Sequence, residues 1–287
     1  MKIEGLGRIY IIHYVKLKER RDYLEKRLNE LGLGKYAHWI LMTKNGRFTK
    51  KELAIHDPSK KALKEREKIL EMVLPKIGEI DKIMMLQHIQ IMKMIAQRKN
   101  DKISMVLEDD ALLSDDFPLK LSHAIKKLRE IKWDICYSDQ GSALVEPKVQ
   151  RKKGERVSLY NPPNKMANTT GSYLITPKSA KKFLKLMKKI TIGPDLELSY
   201  TQKKYGLKVY WTVPFLTHQG SIEMIYDSNV RKSSLFSVGL KFIKKIERIS
   251  PFCANGMRHL LKRIMDLLYK SRFLLWVKDK LKKVLRY

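Results

Sequence analysis

Two hydrophobic patterns alternate between residues 8 and 213. Short apolar runs rich in β-branched and aromatic residues predict strands, and apolar residues three or four positions apart predict helices. The predicted strands cover residues 8–13, 38–41, 103–107, 133–137, 157–160, 170–176 and 208–213. The predicted helices cover residues 18–31, 62–73, 79–98, 118–131, 177–189 and 195–205. This alternation indicates an α/β fold with a mostly parallel, Rossmann-like sheet and helices on both faces.

Two polar segments interrupt the pattern and are predicted to be loops. Residues 43–60 contain Gly46 and an Asp-Pro pair, and residues 141–165 contain several glycines, prolines and lysines. A loop as long as the second one is usually functional or mobile in a compact domain.

The pattern changes after about Leu240. Residues 241–287 contain 14 Lys and Arg against 3 Asp and Glu, with apolar residues at helical spacing between the basic ones. Such a segment binds anionic lipid as an interfacial amphipathic helix pair, or packs on the domain as a hairpin with a solvated basic face. We therefore predict a domain at 1–235 and a basic amphipathic helical tail at 236–287, and membrane contact by the tail is the favoured interpretation.

The overall charge and the cysteine content restrict the class of protein. The chain of 287 residues has a net charge of +30, which indicates a polyanionic partner such as nucleic acid, an anionic membrane surface or a phosphorylated substrate. Cys136 and Cys253 lie far apart without a partner motif, which fits a reducing compartment. With no secretory signal and no run of about 18 apolar residues, we expect a cytoplasmic protein, peripheral on the inner face of the membrane.

Three consecutive carboxylates, Glu108, Asp109 and Asp110, follow the predicted strand at 103–107. Adjacent like charges repel one another, and a hard cation such as Mg²⁺ or Mn²⁺ relieves that repulsion. Strand ends are also where open α/β sheets bind ligands. The triplet predicts a metal site for a phosphate-bearing substrate, with a helix cap or a solvated turn as the alternative.

Four segments, in their order and spacing, resemble the motifs of one enzyme family. They are Ile9-Tyr10-Ile11-Ile12-His13 with Arg20, Met85-Leu86-Gln87-His88, Val106-Leu107-Glu108-Asp109-Asp110-Ala111 with Phe117, and Gly171-Ser172-Tyr173-Leu174-Ile175-Thr176-Pro177-Lys178-Ser179-Ala180 with Asp195. The chain resembles the family 25 glycosyltransferases of lipooligosaccharide biosynthesis from residue 8 to about residue 221. It departs from the family where His13-Tyr14 replaces the usual Asn-Leu pair and where Gln87 replaces Ser.

This resemblance implies a GT-A type fold, a nucleotide-sugar donor that is commonly UDP-linked, and a metal-binding acidic motif. It also implies transfer of the sugar to a growing glycan on a lipid. We therefore predict a hexosyltransferase of lipopolysaccharide biosynthesis that uses Mn²⁺ or Mg²⁺. Its expected partners are the nucleotide sugar, a lipid-linked glycan acceptor and an anionic membrane surface, and no nucleic acid.

The leaving diphosphate of such a donor needs a cation to neutralise it. Asp110 is the first choice of metal ligand and Asp109 the second, because successive side chains on extended backbone point in opposite directions. Glu108 is then expected to accept a hydrogen bond from ribose or from the donor sugar. His218 is a candidate further ligand, although a lone His is more often structural.

A general base for the acceptor hydroxyl is needed if the anomeric configuration inverts. Asp195 is the first candidate and Glu197 the alternative, and a helix-capping role for Asp195 is the competing interpretation.

The nucleotide is expected at the loop that follows the first strand. His13 and Tyr14 are placed there to contact the base or ribose, and Arg20 to contact a phosphate. A surface charge on the helix is the other interpretation of Arg20.

A nucleic-acid-binding protein or a metal-dependent nuclease is the alternative function. The net charge and the acidic triplet suit a phosphodiester substrate. Against this alternative, aromatic and basic residues are not interleaved on one strand face, and the sequence contains no DNA- or RNA-binding motif.

Overall fold

The computed structural model describes residues 2–42, 48, 50–74, 77–139, 149, 154–163 and 169–221. None of the helices in these ranges has the length and hydropathy of a bilayer-spanning segment. The chain divides into two compact units, Met1–Gln219 and Gly220–Tyr287. The tail predicted at 236–287 lies outside the described residues, as does most of the loop predicted at 141–165.

The described part of the chain contains nine strands, seven α-helices and a short 3-10 helix at Gly34–Tyr36. The strands are β1 (Leu6–Tyr14), β2 (Ala37–Met42), β3 (Ile103–Glu108), β4 (Ala111–Leu113), β5 (Ile135–Tyr137), β6 (Ser158–Tyr160), β7 (Ser172–Ile175), β8 (Val209–Val213) and β9 (Thr217–Gln219). The helices are α1 (Lys18–Glu30), α2 (Lys50–Leu53), α3 (Lys60–Leu70), α4 (Glu79–Ala96), α5 (Phe117–Arg129), α6 (Pro177–Leu186) and α7 (Pro194–Lys204). Every predicted strand and helix is present, whereas the short elements α2, β4 and β9 were not predicted.

The central sheet has seven strands in the order β2-β1-β3-β7-β5-β8-β6. Strands β2, β1 and β3 are parallel, and so are β5 and β8. Strand β7 runs antiparallel to both of its neighbours, and β6 runs antiparallel to β8. Five strands therefore share one direction, which confirms a mostly parallel sheet. The reversal of β7 agrees with the sequence, because no helix was predicted between the strands at 133–137 and 170–176 and a parallel connection usually needs one.

Helices cover both faces of this sheet, as predicted. Alternate side chains of a strand point to opposite faces. Tyr10 and Ile12 of β1 pack in a core cluster with residues of α4, α6 and α7. Ile9 and Ile11 pack in a second cluster with residues of α1 and α5. The sheet is therefore the middle layer of three.

The carboxyl ends of β1, β3 and β5 lie at one edge of the sheet, and β7 begins at that edge because it is reversed. The Glu108 N–H donates to the Gly171 carbonyl at 2.8 Å, and the Ser138 N–H donates to the Ser172 carbonyl at 3.0 Å. Residues that follow β1, β3 and β5 are thus close to residues that precede β7. We call this the ligand edge.

A buried ion pair links α3 to the start of α7. Arg66 Nε lies 3.1 and 3.0 Å from the two carboxylate oxygens of Glu197, and Arg66 Nη2 lies 2.6 Å from Oε1. The backbone N–H groups of Thr191 and Ile192 donate to Oε2 at 2.9 and 3.2 Å. The guanidinium also lies 4.4 Å from the ring centroid of Tyr200. Both charges are buried, and each has partners that compensate it.

We predict that Arg66→Met lowers the free energy of unfolding by about 3–5 kcal/mol, because it leaves the Glu197 carboxylate buried without a cation. The double variant Arg66→Met/Glu197→Gln should recover much of this loss, since no buried charge remains and the amide still accepts from the loop N–H groups. Urea denaturation of the three proteins measures the difference. Equal losses in the single and double variants would show that packing, and not charge, is responsible.

Candidate functional site

Most of the predicted site residues meet at the ligand edge. His13 and Tyr14 end β1, Glu108 ends β3, and Asp109 and Asp110 form the turn between β3 and β4. Strands β1 and β3 are paired neighbours, so these residues lie side by side. Open α/β sheets bind their ligands at such an edge.

Asp109 is the centre of a buried polar cluster. Its Oδ2 accepts from the Tyr14 N–H at 3.1 Å and lies 2.8 Å from His13 Nδ1. Its Oδ1 accepts from Arg20 Nη1 at 2.9 Å. The side chains of Asp109 and Arg20 are 7% and 9% exposed. The Asp109 carboxylate therefore fastens the connection between β1 and α1 to the end of β3, and Arg20 compensates its charge.

This cluster bears on three of the predicted roles. Both oxygens of Asp109 already have protein partners, which does not suit a metal ligand. Arg20 is directed at Asp109, and His13 is buried with its ring edge-on to Trp39 at a centroid distance of 5.7 Å. Tyr14 is the residue among the predicted nucleotide contacts that remains partly exposed.

Asp110 is buried in the turn that follows. Across the described part of the chain, no group of three or more His, Cys, Asp or Glu side chains is arranged to hold a metal ion. Mg²⁺ is commonly bound through one or two carboxylates together with substrate phosphates. The described residues therefore suit a cation bound together with a substrate diphosphate better than a cation bound by protein ligands alone.

Glu108 and Asp195 are the second group at the ligand edge. Glu108 Oε1 accepts from Thr170 Oγ1 at 3.0 Å and lies 3.8 Å from His88 Nε2. Asp195 stands in the first turn of α7, where its Oδ1 accepts from the Leu196 N–H at 2.9 Å. The Glu108 carboxylate lies within electrostatic range of the Asp195 carboxyl.

The pKa of the Asp195 carboxyl is raised above its ordinary value of 3.8. Burial is the main cause, and the negative charges of Glu108 and Asp81 add to it, while the hydrogen bond from the Leu196 N–H opposes the shift. A carboxylate with a raised pKa is a stronger base, and paired carboxylates in unlike surroundings often divide acid and base roles.

The two other predicted residues lie apart from this group. Glu197 is held by Arg66 in the ion pair between α3 and α7. His218 is exposed on β9, opposite Leu112 of β4. The structure therefore separates Asp195 from Glu197, although only two positions divide them in the sequence.

A further buried carboxylate at this edge, Asp139, was not predicted. Its Oδ2 accepts from Thr169 Oγ1 at 2.9 Å, and Gln219 Nε2 donates to the same hydroxyl at 2.9 Å. A Cβ atom at Gly171 would lie 2.3 Å from Asp139 Oδ2 and 2.1 Å from Gln219 Nε2, so a larger residue there would displace both side chains. Asp139 stands two positions after the end of β5, as Asp110 stands two positions after the end of β3, and this spacing was the available signal.

One comparison decides the family. The model of glycosyltransferase family 25, described as a lipopolysaccharide biosynthesis protein, matches residues 7–198. The chain belongs to this family. A search of curated proteins found no match.

Family 25 membership makes the chain a glycosyltransferase and confirms the resemblance drawn from its motifs. The matched segment includes all the predicted site residues except His218. It also includes His88, Asp139 and Thr170, and it ends before the basic tail.

We predict that Asp195→Asn stabilises this glycosyltransferase at neutral pH. Because the folded-state pKa of Asp195 is raised, the folded protein binds this proton more tightly than the unfolded chain does. The charged carboxylate therefore lowers stability above the folded pKa, and this effect disappears as the pH falls below 3.8. Thermal unfolding of both proteins across the pH range measures the difference.

The exposed Asp22→Asn on α1 is the matched control, since it removes the same charge from a solvated position. A Tm gain for Asp195→Asn that does not shrink toward acid pH would contradict the assigned cause.

Proposed function

We propose that this enzyme transfers a sugar from a UDP-linked donor to a lipid-linked glycan acceptor of lipooligosaccharide or lipopolysaccharide. We further propose that transfer requires a divalent cation and takes place at the cytoplasmic face of the membrane. The cluster of carboxylates at the ligand edge carries this proposal: Glu108 ends β3, Asp110 lies in the turn that follows, and the Glu108 charge contributes to the raised pKa of Asp195. The mixed α/β sheet, with its acids at one edge, supports the GT-A type fold that the family resemblance implies.

Asp195 is the proposed general base for an inverting transfer. Its carboxylate takes the proton from the acceptor hydroxyl as the oxygen attacks the anomeric carbon and the bond to the diphosphate breaks. Its raised pKa favours proton uptake. Glu197 is the weaker candidate, because Arg66 and two backbone N–H groups already bind its oxygens.

Glu108 is the proposed contact to the donor sugar or its ribose. Its side chain is 19% exposed, and the hydrogen bond from Thr170 fixes one of its oxygens. A carboxylate in this position accepts hydrogen bonds from sugar hydroxyls. Tyr14, at the end of the neighbouring strand β1, is the proposed contact to the nucleotide.

Asp110 is the proposed protein ligand of the cation, together with phosphate oxygens of the donor. When bound, Mn²⁺ or Mg²⁺ neutralises the charge that develops on the leaving diphosphate. Asp109 is assigned to the architecture of the site, because its contacts with His13 and Arg20 hold the turn that presents Asp110.

We predict that Asp195→Asn and Asp110→Asn impair different steps. Asp195→Asn should lower kcat by about 10²- to 10⁴-fold and leave donor binding nearly unchanged, because the base acts only in the chemical step. Asp110→Asn should abolish the Mn²⁺-dependent part of donor binding. A panel of UDP-hexoses with Mn²⁺, followed by release of UDP and by calorimetric titration of the donor, measures both effects.

The control is Glu197→Gln, which lies outside the proposed contacts and should affect stability more than the rate of the folded enzyme. Full activity of Asp195→Asn would remove Asp195 as the base. Donor binding that responds to Mn²⁺ equally in Asp110→Asn and in the unsubstituted enzyme would remove the proposed metal contact.

The membrane location rests on the composition of the tail. Residues 241–287 have 14 basic and 3 acidic side chains between regularly spaced apolar residues. Each basic residue near an anionic surface contributes roughly 1 kcal/mol of binding. A lipid-linked acceptor is presented at such a surface, so the tail is proposed to bring the catalytic domain to it.

We predict that a chain ending at residue 240 binds anionic vesicles at least tenfold more weakly than the full chain, while its UDP-sugar hydrolysis changes little. Cosedimentation with vesicles of phosphatidylglycerol and phosphatidylcholine, at low and high salt, measures the change. Vesicles of phosphatidylcholine alone are the control. Unchanged binding after truncation would leave the tail with a packing role only.

A further inference from the structure

His88 lies beneath Glu108 in the core of the domain. It belongs to α4, and its side chain is fully buried. Its Nδ1 lies 3.1 Å from the hydroxyl of Tyr173, and its Nε2 lies 3.8 Å from Glu108 Oε1. Nε2 is shielded from solvent and has no hydrogen-bond partner. A buried ring nitrogen left without a partner is uncommon and calls for a physical explanation.

The chemistry of Tyr173 determines which ring nitrogen carries the proton. Tyr173 is fully buried, and burial together with the nearby Glu108 charge raises the pKa of its phenol, so the hydroxyl keeps its hydrogen. If that hydrogen is donated to His88 Nδ1, the neutral ring carries its own hydrogen on Nε2. The opposite arrangement would direct the Nε2 lone pair at a carboxylate oxygen. Electrostatics therefore favours an Nε2–H group that faces Glu108.

The 3.8 Å between His88 Nε2 and Glu108 Oε1 is less than about 1 Å longer than a hydrogen bond. Catalytic hydrogen bonds are often long in a substrate-free site and shorten when the substrate binds. Thr170 already donates to the same oxygen, Oε1. Two donors on one oxygen would fix the plane of the carboxylate and direct Oε2 toward the ligand edge.

We propose that His88 is a positioning residue, which donates from Nε2 to Glu108 Oε1 when the donor binds and so orients Glu108 toward a donor hydroxyl. This inference rests on the proposed contact between Glu108 and the donor. Tyr173 acts one step further back, by holding His88 in the tautomer that can donate. His88 itself does not touch the substrate, because its side chain is fully buried.

Two substitutions of His88 test this role against a packing role. In His88→Gln the side-chain amide reaches about as far as Nε2, so it can still donate to Glu108. In His88→Asn the shorter amide reaches about as far as Nδ1, so it can meet Tyr173 but not Glu108. We expect His88→Asn to raise the donor KM by about ten- to hundredfold, and His88→Gln to stay within about threefold of the unsubstituted enzyme.

Three further variants complete the experiment. Gln90→Asn makes the same side-chain shortening on the exposed face of α4 and should leave the kinetics unchanged. Tyr173→Phe removes the hydroxyl that selects the tautomer and should give a donor KM between those of the two His88 variants. Glu108→Gln tests the donor contact itself. Donor KM and kcat, calorimetric donor binding and Tm are measured for every protein with the same UDP-hexose.

The outcomes distinguish the positioning role of His88 from the donor contact of Glu108. Equal donor KM values for His88→Asn and His88→Gln, with Glu108→Gln impaired, overturn the positioning role and leave the donor contact in place. Donor binding by Glu108→Gln that equals the unsubstituted enzyme overturns the contact, and the positioning role with it. A KM that follows Tm across all the variants would assign His88 to packing.

Discussion

Compensation of the Asp109 charge is the constraint on which the site depends. Three adjacent acids at the end of a strand repel one another, and a buried carboxylate without partners is strongly unfavourable. Arg20, His13 and the Tyr14 N–H supply those partners for the middle acid. The same contacts hold the connection between β1 and α1 against the end of β3. One ion pair thus makes the acidic triplet possible and gives the ligand edge a defined shape.

The buried acids of the domain fall into two groups, according to whether positive charges and hydrogen-bond donors compensate their negative charge. Asp109 and Glu197 accept from several donors, including an arginine, and both are buried as parts of the architecture. Asp195 lies near other negative charges, and its pKa is raised. Retaining an acid in such surroundings lowers stability, and perturbed groups of this kind concentrate at functional sites. The raised pKa of Asp195 therefore marks the ligand edge as the candidate functional site.

Hydrophobic periodicity was enough to locate nearly every strand and helix and to place the acidic triplet at a strand end. Hydrophobic periodicity could not predict which residues contact each acid. Arg66 and Glu197 are separated by 131 positions, and Arg20 and Asp109 by 89, so both pairs exist only once the helices have packed. Asp195 and Glu197 therefore had similar predicted roles, and the fold separates them. Asp139 was not predicted, although it follows a predicted strand and strand ends are where open α/β sheets bind ligands.

The reversed direction of β7 affects how the chain reaches Asp195, the proposed general base. The chain leaves the ligand edge along β7 and then forms α6, and Asp195 follows at the start of α7, within electrostatic range of Glu108. Four strand residues cover about 13 Å, and ten helical residues cover about 15 Å, so the two elements are similar in length. A turn gained or lost in α6 would shift the end of that helix by about 5 Å, and residues 187–193 would have to absorb this shift to keep Asp195 in place. The position of Asp195 relative to Glu108 therefore depends on the combined length of β7, α6 and the connection at residues 187–193.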